Sequence, residues 1–221
     1  MRIAGLTDLH GRIVNFSRVL LYKPDIVIVS GDITHFGRDL RIIDYLKYIK
    51  ENENVQVLTV PGNCDNRESI NKLNEYNINI DGKCVEINNI KFIGIGGSNP
   101  TPFNTPNEYT EKELYKKFKN AIKGIKKEDL INNFILVTHS PPKNTMADRV
   151  GEDNVGSESV REIIEEYGPS LVICGHIHES KCIDKINNSY IVNPSQESFF
   201  ISDVFDKNNK VNVKNIELID L

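Results

Sequence analysis

No apolar run in the sequence approaches the roughly 20 residues that span a bilayer, so a helical membrane protein is not expected. The opening stretch Met1-Arg2-Ile3-Ala4-Gly5 runs straight into polar Thr7-Asp8 and lacks the long apolar core of a signal peptide, so a cytoplasmic location is expected. Cysteine is scarce. Cys64, Cys84, Cys174 and Cys182 form no CxxC pair or other zinc-ribbon spacing, and four free thiols are expected. A surplus of positive charge is also missing: 27 Lys+Arg against 31 Asp+Glu give a formal charge of −4, which speaks against stable binding to nucleic acid through a general positive field. No repeat period, composition break or coiled-coil heptad is present, so 221 residues are expected to form one domain, 1–221, with the oligomeric state left open. What remains is ordinary: 39% hydrophobic and 26% charged residues exclude bulk disorder. Histidine is rare enough, at five residues, for its placement to carry information.

The first sixty residues read as strand, helix, strand, helix, strand. Arg2 to Leu6 is a short apolar run; Ile13, Phe16, Val19 and Leu20 recur at helical spacing up to Lys23-Pro24. Ile26-Val27-Ile28-Val29 is β-branched throughout, as a strand buried on both faces should be. Ile42, Ile43, Leu46 and Ile49 mark the inner face of a second helix, and Val55 to Val60 form a third strand stopped by Pro61-Gly62. This order predicts a parallel sheet with right-handed crossovers. Further on, Cys84–Ile87 and Lys91–Ile95 flank a hairpin at Asn88-Asn89. Phe134–Val137 and Leu171–Cys174 are buried strands, with a helical stripe of Val160, Ile163, Ile164 and Tyr167 between them that stops at Gly168-Pro169. From Cys182 onward short alternating runs predict an antiparallel meander. The fold class expected is α/β, two facing sheets with helices outside. One stretch, Gly96 to Asn107, has three prolines and almost nothing apolar; a loop of that length in a compact chain predicts a lid or binding loop.

Five motifs fall just beyond the carboxyl ends of predicted strands: Asp8-x-His10, Gly31-Asp32, Gly62-Asn63, His139 in Thr138-His139-Ser140, and Gly175-His176-Ile177-His178. In an open α/β sheet that edge is where ligands bind. Carboxylates, imidazoles and one amide form a mixed oxygen and nitrogen set, which suits Mn, Fe, Zn or Co better than Ca or Mg. Seven candidate ligands are too many for one tetrahedral ion and enough for two ions that share a carboxylate. Each motif alone is weak. Their conjunction is not, because four of the five histidines fall in them, in a consistent order at one sheet edge.

Together with Asp65, these motifs resemble the calcineurin-like metallophosphoesterase family over essentially the whole chain. Gly31-Asp32-Ile33-Thr34, Thr138-His139-Ser140-Pro141-Pro142, Gly175-His176-Ile177-His178-Glu179 and Asn193-Pro194 are most similar to small prokaryotic phosphoesterases related to class III cyclic-nucleotide phosphodiesterases. The resemblance implies a β-sandwich flanked by helices and a cofactor of two divalent transition-metal ions, manganese foremost, with Fe, Zn, Ni or Co as other candidates. By the same resemblance Asp8, His10 and His178 would bind the first ion, Asn63, His139 and His176 the second, and Asp32 would bridge them. Asp65 would support the catalytic group of the Gly-Asn loop. A hydroxide shared by the two ions would attack phosphorus in line.

The pattern departs from the family at Cys64, where many members carry the histidine that protonates the leaving alkoxide. A thiol beside two dications should shift toward thiolate, and a thiolate cannot donate a proton. His35, three residues after Asp32, is the candidate replacement. Arg38, Asn66, Arg67 and Lys143 each follow a motif closely and are candidate phosphate contacts. The leading expectation is a phosphodiesterase for a small or nucleotide-like phosphoester. The alternatives are a phosphomonoesterase, including a protein phosphatase, and a non-catalytic scaffold on the same fold.

Overall fold

In the computed structural model, which describes residues 1–208 and 210–221, the run Ile26–Ser30 (β2) is buried along its whole length because its two faces meet different cores. Ile26 and Ile28 join a layer with residues of a second sheet, whereas Val27 and Val29 pack under helices. Arg2–Leu6 (β1) and Gln56–Val60 (β3) lie parallel on either side of β2. Ser198–Asp206 (β12) and Val211–Asp220 (β13) extend this sheet antiparallel beyond β1, giving the order β13-β12-β1-β2-β3. Its outer face carries Phe16–Leu20 (α1), Arg41–Asn52 (α2) and Arg67–Glu75 (α3), which contribute Phe16, Val19, Ile42, Ile43, Leu46, Ile49 and Leu73 to one core.

The second sheet has the order β10-β11-β9-β6-β5-β4. It is built from Cys84–Ile87 (β4), Ile90–Ile95 (β5), Phe134–Thr138 (β6), Leu171–Ile173 (β9), Cys182–Ile186 (β10) and Ser189–Asn193 (β11). A separate ribbon pairs Arg149–Val150 (β7) with Asp153–Asn154 (β8). β5, β6, β9 and β11 run parallel to one another. The inner residues Phe92, Ile135, Val137, Leu171 and Ile173 meet Ile3, Ile28 and Val60 of the first sheet, while Phe134, Leu136 and Val172 pack under Glu111–Ala121 (α4) and Glu158–Tyr167 (α5). Two sheets with helices on both outer faces result, as the sequence predicts.

Three expectations need correction. The first helix is only Phe16–Leu20: Asn15 caps it by accepting from the Arg18 amide, and Ile13 lies outside it, 53% exposed. The helices α3 and α4 are not in the sequence reading, because each buries a thin stripe, Ser69 and Leu73 in one and Leu114 and Phe118 in the other. Local capping by Asn66 and by the Thr110–Glu113 box starts them. Lastly, the C-terminal meander is divided between the sheets. β10 and β11 form a hairpin in the second sheet, β11 pairs parallel with β9, and the chain then crosses at Asn193–Ser198 into β12 of the first. All four cysteines are free, as expected. No helix among the described residues is long and apolar enough to cross a membrane.

Candidate metal centre

The parallel strands of both sheets end at the same edge, and the predicted ligands leave from those ends. Asp8 and His10 follow β1, Asp32 follows β2, Asn63 follows β3, His139 follows β6, and His176 and His178 follow β9. The two sheets touch there: the Ser30 hydroxyl donates to the carbonyls of Leu6, 3.3 Å, and Cys174, 3.2 Å. Glycine is required where they meet. A Cβ on Gly175 would lie 1.8 Å from Thr7 Oγ1 and 2.5 Å from Asp8 Oδ2, and one on Gly31, whose φ is +99°, would lie 2.2 Å from His139 Nδ1. Four of the ligands themselves adopt positive φ: Asp8 (54°), His10 (48°), Asp32 (47°) and His176 (71°). Such backbone costs on the order of 1–3 kcal/mol per residue and persists only where the surroundings enforce it, typically at functional sites.

One side of the cluster is formed by Asp8, His10 and His178. His178 Nε2 lies 3.2 Å from Asp8 Oδ1 and 3.4 Å from His10 Nε2, and His10 Nε2 lies 3.7 Å from Asp32 Oδ2. The other side is formed by Asp32, His139 and Asn63. His139 Nε2 is 2.9 Å from Asn63 Oδ1 and 3.4 Å from Asp32 Oδ1. Ligand atoms of Asp8, Asp32 and His139 lie within 4.8 Å of one another, as do those of Asp8, His10 and His178. His176 comes to the same region through its amide, which donates to Asp8 Oδ2 at 3.0 Å, and its ring packs edge-on against His139 with centroids 5.0 Å apart. Its ring nitrogens are outside those converging groups.

These groups fit a divalent cation, for two reasons. First, Asp8, Asp32 and Asp65 are all at most 2% exposed, and among the described residues no lysine or arginine pairs with any of them. Buried charges are otherwise paired or bound to metal. Second, His139 Nδ1 is 2.9 Å from the Ser30 carbonyl, which can only accept. A neutral His139 therefore turns a bare lone pair on Nε2 toward the oxygens of Asn63 and Asp32. In that form electron-rich atoms converge there, an arrangement a cation would satisfy.

The titration of these groups in the ion-free chain follows from burial and crowding. Burial pushes Asp32 up to about 6, helped by the charges of Asp8 and Asp65 against the opposing His139. Burial alone would raise Asp8, but the hydrogen bond from His178 and the nearby imidazoles hold it below the usual range. Burial lowers His10 to about 4 and His176 to about 3. His178 moves upward through its hydrogen bond to Asp8. The Cys64 thiol is pushed up, by burial first and then by Asp32, so in this state it is a neutral thiol; the shift toward thiolate expected from the sequence depends on bound cations.

The remaining predicted residues divide. Asp65 is fully buried and accepts from the amides of Ile33 (3.1 Å), Thr34 (2.7 Å) and Gly62 (2.8 Å) and from the Thr34 hydroxyl (2.8 Å). It thereby ties the Asp32 loop to the Gly-Asn loop. His35 is exposed and its ring lies 5.5 Å from that of His10 and 4.7 Å from that of Phe36. Arg38 and Arg67 are exposed with no side-chain partner among the described residues. Two candidates are otherwise engaged, contrary to expectation. Lys143 Nζ pairs with Glu158 at 2.5 Å. The Asn66 carbonyl accepts from the amide and hydroxyl of Ser69 and its amide donates to the Phe36 carbonyl, the work of a helix cap.

Sequence reasoning missed Gln196 and Thr105. Gln196 Nε2 lies 2.8 Å from His178 Nδ1, brought there by the crossing between sheets that a meander would not make. Thr105, in the proline-rich loop, accepts from Asn63 Nδ2 at 2.9 Å.

Comparison with known proteins agrees with this architecture. The family model for calcineurin-like phosphoesterases matches residues 1–180. The chain is 50% identical to an uncharacterized Methanocaldococcus jannaschii protein over 208 residues, 92% of each chain. The fold is similar to that of the Thermus thermophilus protein TT1561, with a TM-score of 0.72 at 16% identity over 97% of this chain and 98% of that one. It is also similar to a dimetal phosphatase from Danio rerio, with a TM-score of 0.62 at 12% identity over 99% and 98% of the two chains. A family match over most of the chain, on a two-sheet fold whose shared edge gathers these ligands, makes the chain a member of the calcineurin-like phosphoesterase family.

Proposed function

We propose that the protein is a phosphodiesterase dependent on two divalent ions. Asp8, His10 and His178 hold one ion, Asn63, His139 and His176 hold the other, and Asp32 lies between them. The observation that carries this is the convergence of carboxylate, imidazole and amide ligand atoms on both sides of Asp32 without a compensating lysine or arginine among the described residues. When bound, the ions supply charge that acidifies water and offsets the negative charge gathering on the phosphoryl oxygens. Asp65 keeps the Asp32 and Gly-Asn loops in register. His35, beside His10 at the exposed rim, donates the proton to the leaving oxygen, a step the crowded Cys64 performs poorly. Arg38 and Arg67 are the cations free to meet the phosphate; Lys143 and Asn66 take no part. The diester preference is supported by the open rim. His35 and Phe36, adjacent on one loop, are both exposed beside His10, where a second ester group could be accommodated.

The test is hydrolysis after reconstitution with Mn2+. Faster turnover of bis-nitrophenyl phosphate than of nitrophenyl phosphate is expected. The reverse order would make the protein a phosphomonoesterase, and turnover of neither would favour a scaffold.

A further inference from the structure

The proline-rich loop is not a free lid. Its stem is built around Glu108, whose Oε1 accepts from the hydroxyl of Thr101 (2.6 Å), the amide of Thr105 (2.8 Å) and the hydroxyl of Thr105 (2.5 Å). Oε2 accepts from the Thr101 amide at 3.1 Å. Burial opposes ionisation of Glu108, but the hydrogen bonds from Thr101 and Thr105 outweigh it and hold the carboxyl down to about 2. At neutral pH Glu108 is therefore an acceptor only. The loop is also seated on the Gly-Asn segment: Asn107 Nδ2 donates to the Gly62 carbonyl (2.9 Å), and the Asn107 amide donates to the Asn63 carbonyl (3.0 Å).

The direction of each hydrogen bond has a consequence for Asn63. The single proton of the Thr105 hydroxyl goes to Glu108, so Thr105 Oγ1 has only lone pairs left for its other neighbour. That neighbour is the Asn63 side chain at 2.9 Å, which must present its NH2 there. Its carbonyl oxygen is thereby turned to His139 Nε2, 2.9 Å away. The opposite orientation would turn the Asn63 NH2 toward His139 and leave Thr105 Oγ1 facing a carbonyl oxygen. That flip would place a donor where a cation needs an oxygen.

We propose that Thr105 and Glu108 form a relay that fixes the amide orientation of Asn63 and so selects the ion-binding state of the buried half of the site. Both are positioning residues: neither touches the ions or the reacting atoms. The inference rests on the two-ion reading above. It explains why a long, nearly apolar-free segment sits beside a metal centre, and it assigns the loop a task that a surface excursion would not have.

The experiment is Mn2+ titration of the full chain, followed by calorimetry and by electron paramagnetic resonance, with no substrate present. The parent is expected to bind two ions and to show a spin-coupled pair. Thr105→Val, which keeps shape and removes the acceptor, should weaken the second ion by about 10–100-fold, the usual range for loss of a supporting partner, and convert the signal to that of an isolated ion. Thr105→Ser restores the hydroxyl and should restore the coupled pair. Glu108→Gln reads the relay from its other end, so a smaller loss in the same direction is expected even if Thr105→Val fails to fold. A parent that binds no ion would overturn the two-ion reading itself. A parent with two ions, joined by either a folded Thr105→Val or Glu108→Gln that binds both as tightly, would overturn the relay alone.

Discussion

The two halves of the site share Asp32 and differ in almost everything else. The His139 side chain is fully buried; one ring nitrogen is fixed by a backbone carbonyl and the other faces Asn63, whose own amide is held by the proline-rich loop. The His178 side chain is 42% exposed and that of His10 17% exposed, and His10 Nδ1 has no partner among the described residues. The orientations of His139 and Asn63 are thus set by neighbours that can bond only one way, whereas the His176 ring is packed edge-on against His139. The exposed half is supported by Gln196 on His178 and Thr7 on Asp8, and it opens to solvent beside His35. Under the proposed function, the buried half retains its ion and the exposed half exchanges its ion and meets the substrate.

The largest effect should come from removing what the halves share. Asp32→Asn is expected to weaken both ions and lower kcat/KM by about 10²–10³-fold, the scale for losing a key electrostatic group. Metal stoichiometry with kinetics checks it, and loss of only one ion would break the symmetry assumed for Asp32. Next comes the contrast between halves. In His178→Ala, activity lost at low Mn2+ should return as Mn2+ is raised, since the exposed ion is merely held more weakly. His139→Ala should not be rescued in this way, because it also empties a packed site. Equal rescue of both variants would erase the distinction. The smallest effect is confined to the exposed rim. His35→Ala should slow esters with poor leaving groups by about 10²-fold while sparing nitrophenyl esters, as expected for loss of a general acid. Equal slowing of both substrate classes would remove His35 from that role.

Much of this was legible in the residues. β2 reads correctly because an unbroken β-branched run has one good solution, burial on both faces. The clustering of the candidate ligands at one edge was legible because parallel strands deliver their carboxyl ends there, whichever sheet each strand joins. The C-terminal strands misled because pairing partners far apart in sequence, β11 with β9 and β12 with β1, leave no local trace. The partners of Asn66 and Lys143 were hidden for a different reason. A polar residue near a motif looks the same in sequence whether it faces substrate or caps a helix, and only its neighbours, Ser69 and Glu158, decide. Thr105 was invisible because its contact with Asn63 joins residues 42 apart in sequence.

The difference between the halves can be read directly from anomalous diffraction at the manganese edge on crystals grown with limiting and then saturating Mn2+. One peak beside Asn63 and His139 at limiting ion, joined at saturation by a second beside His10 and His178 with Asp32 between them, is the expected result. A first peak on the His178 side, or no peak next to Asp32 at saturation, would contradict it.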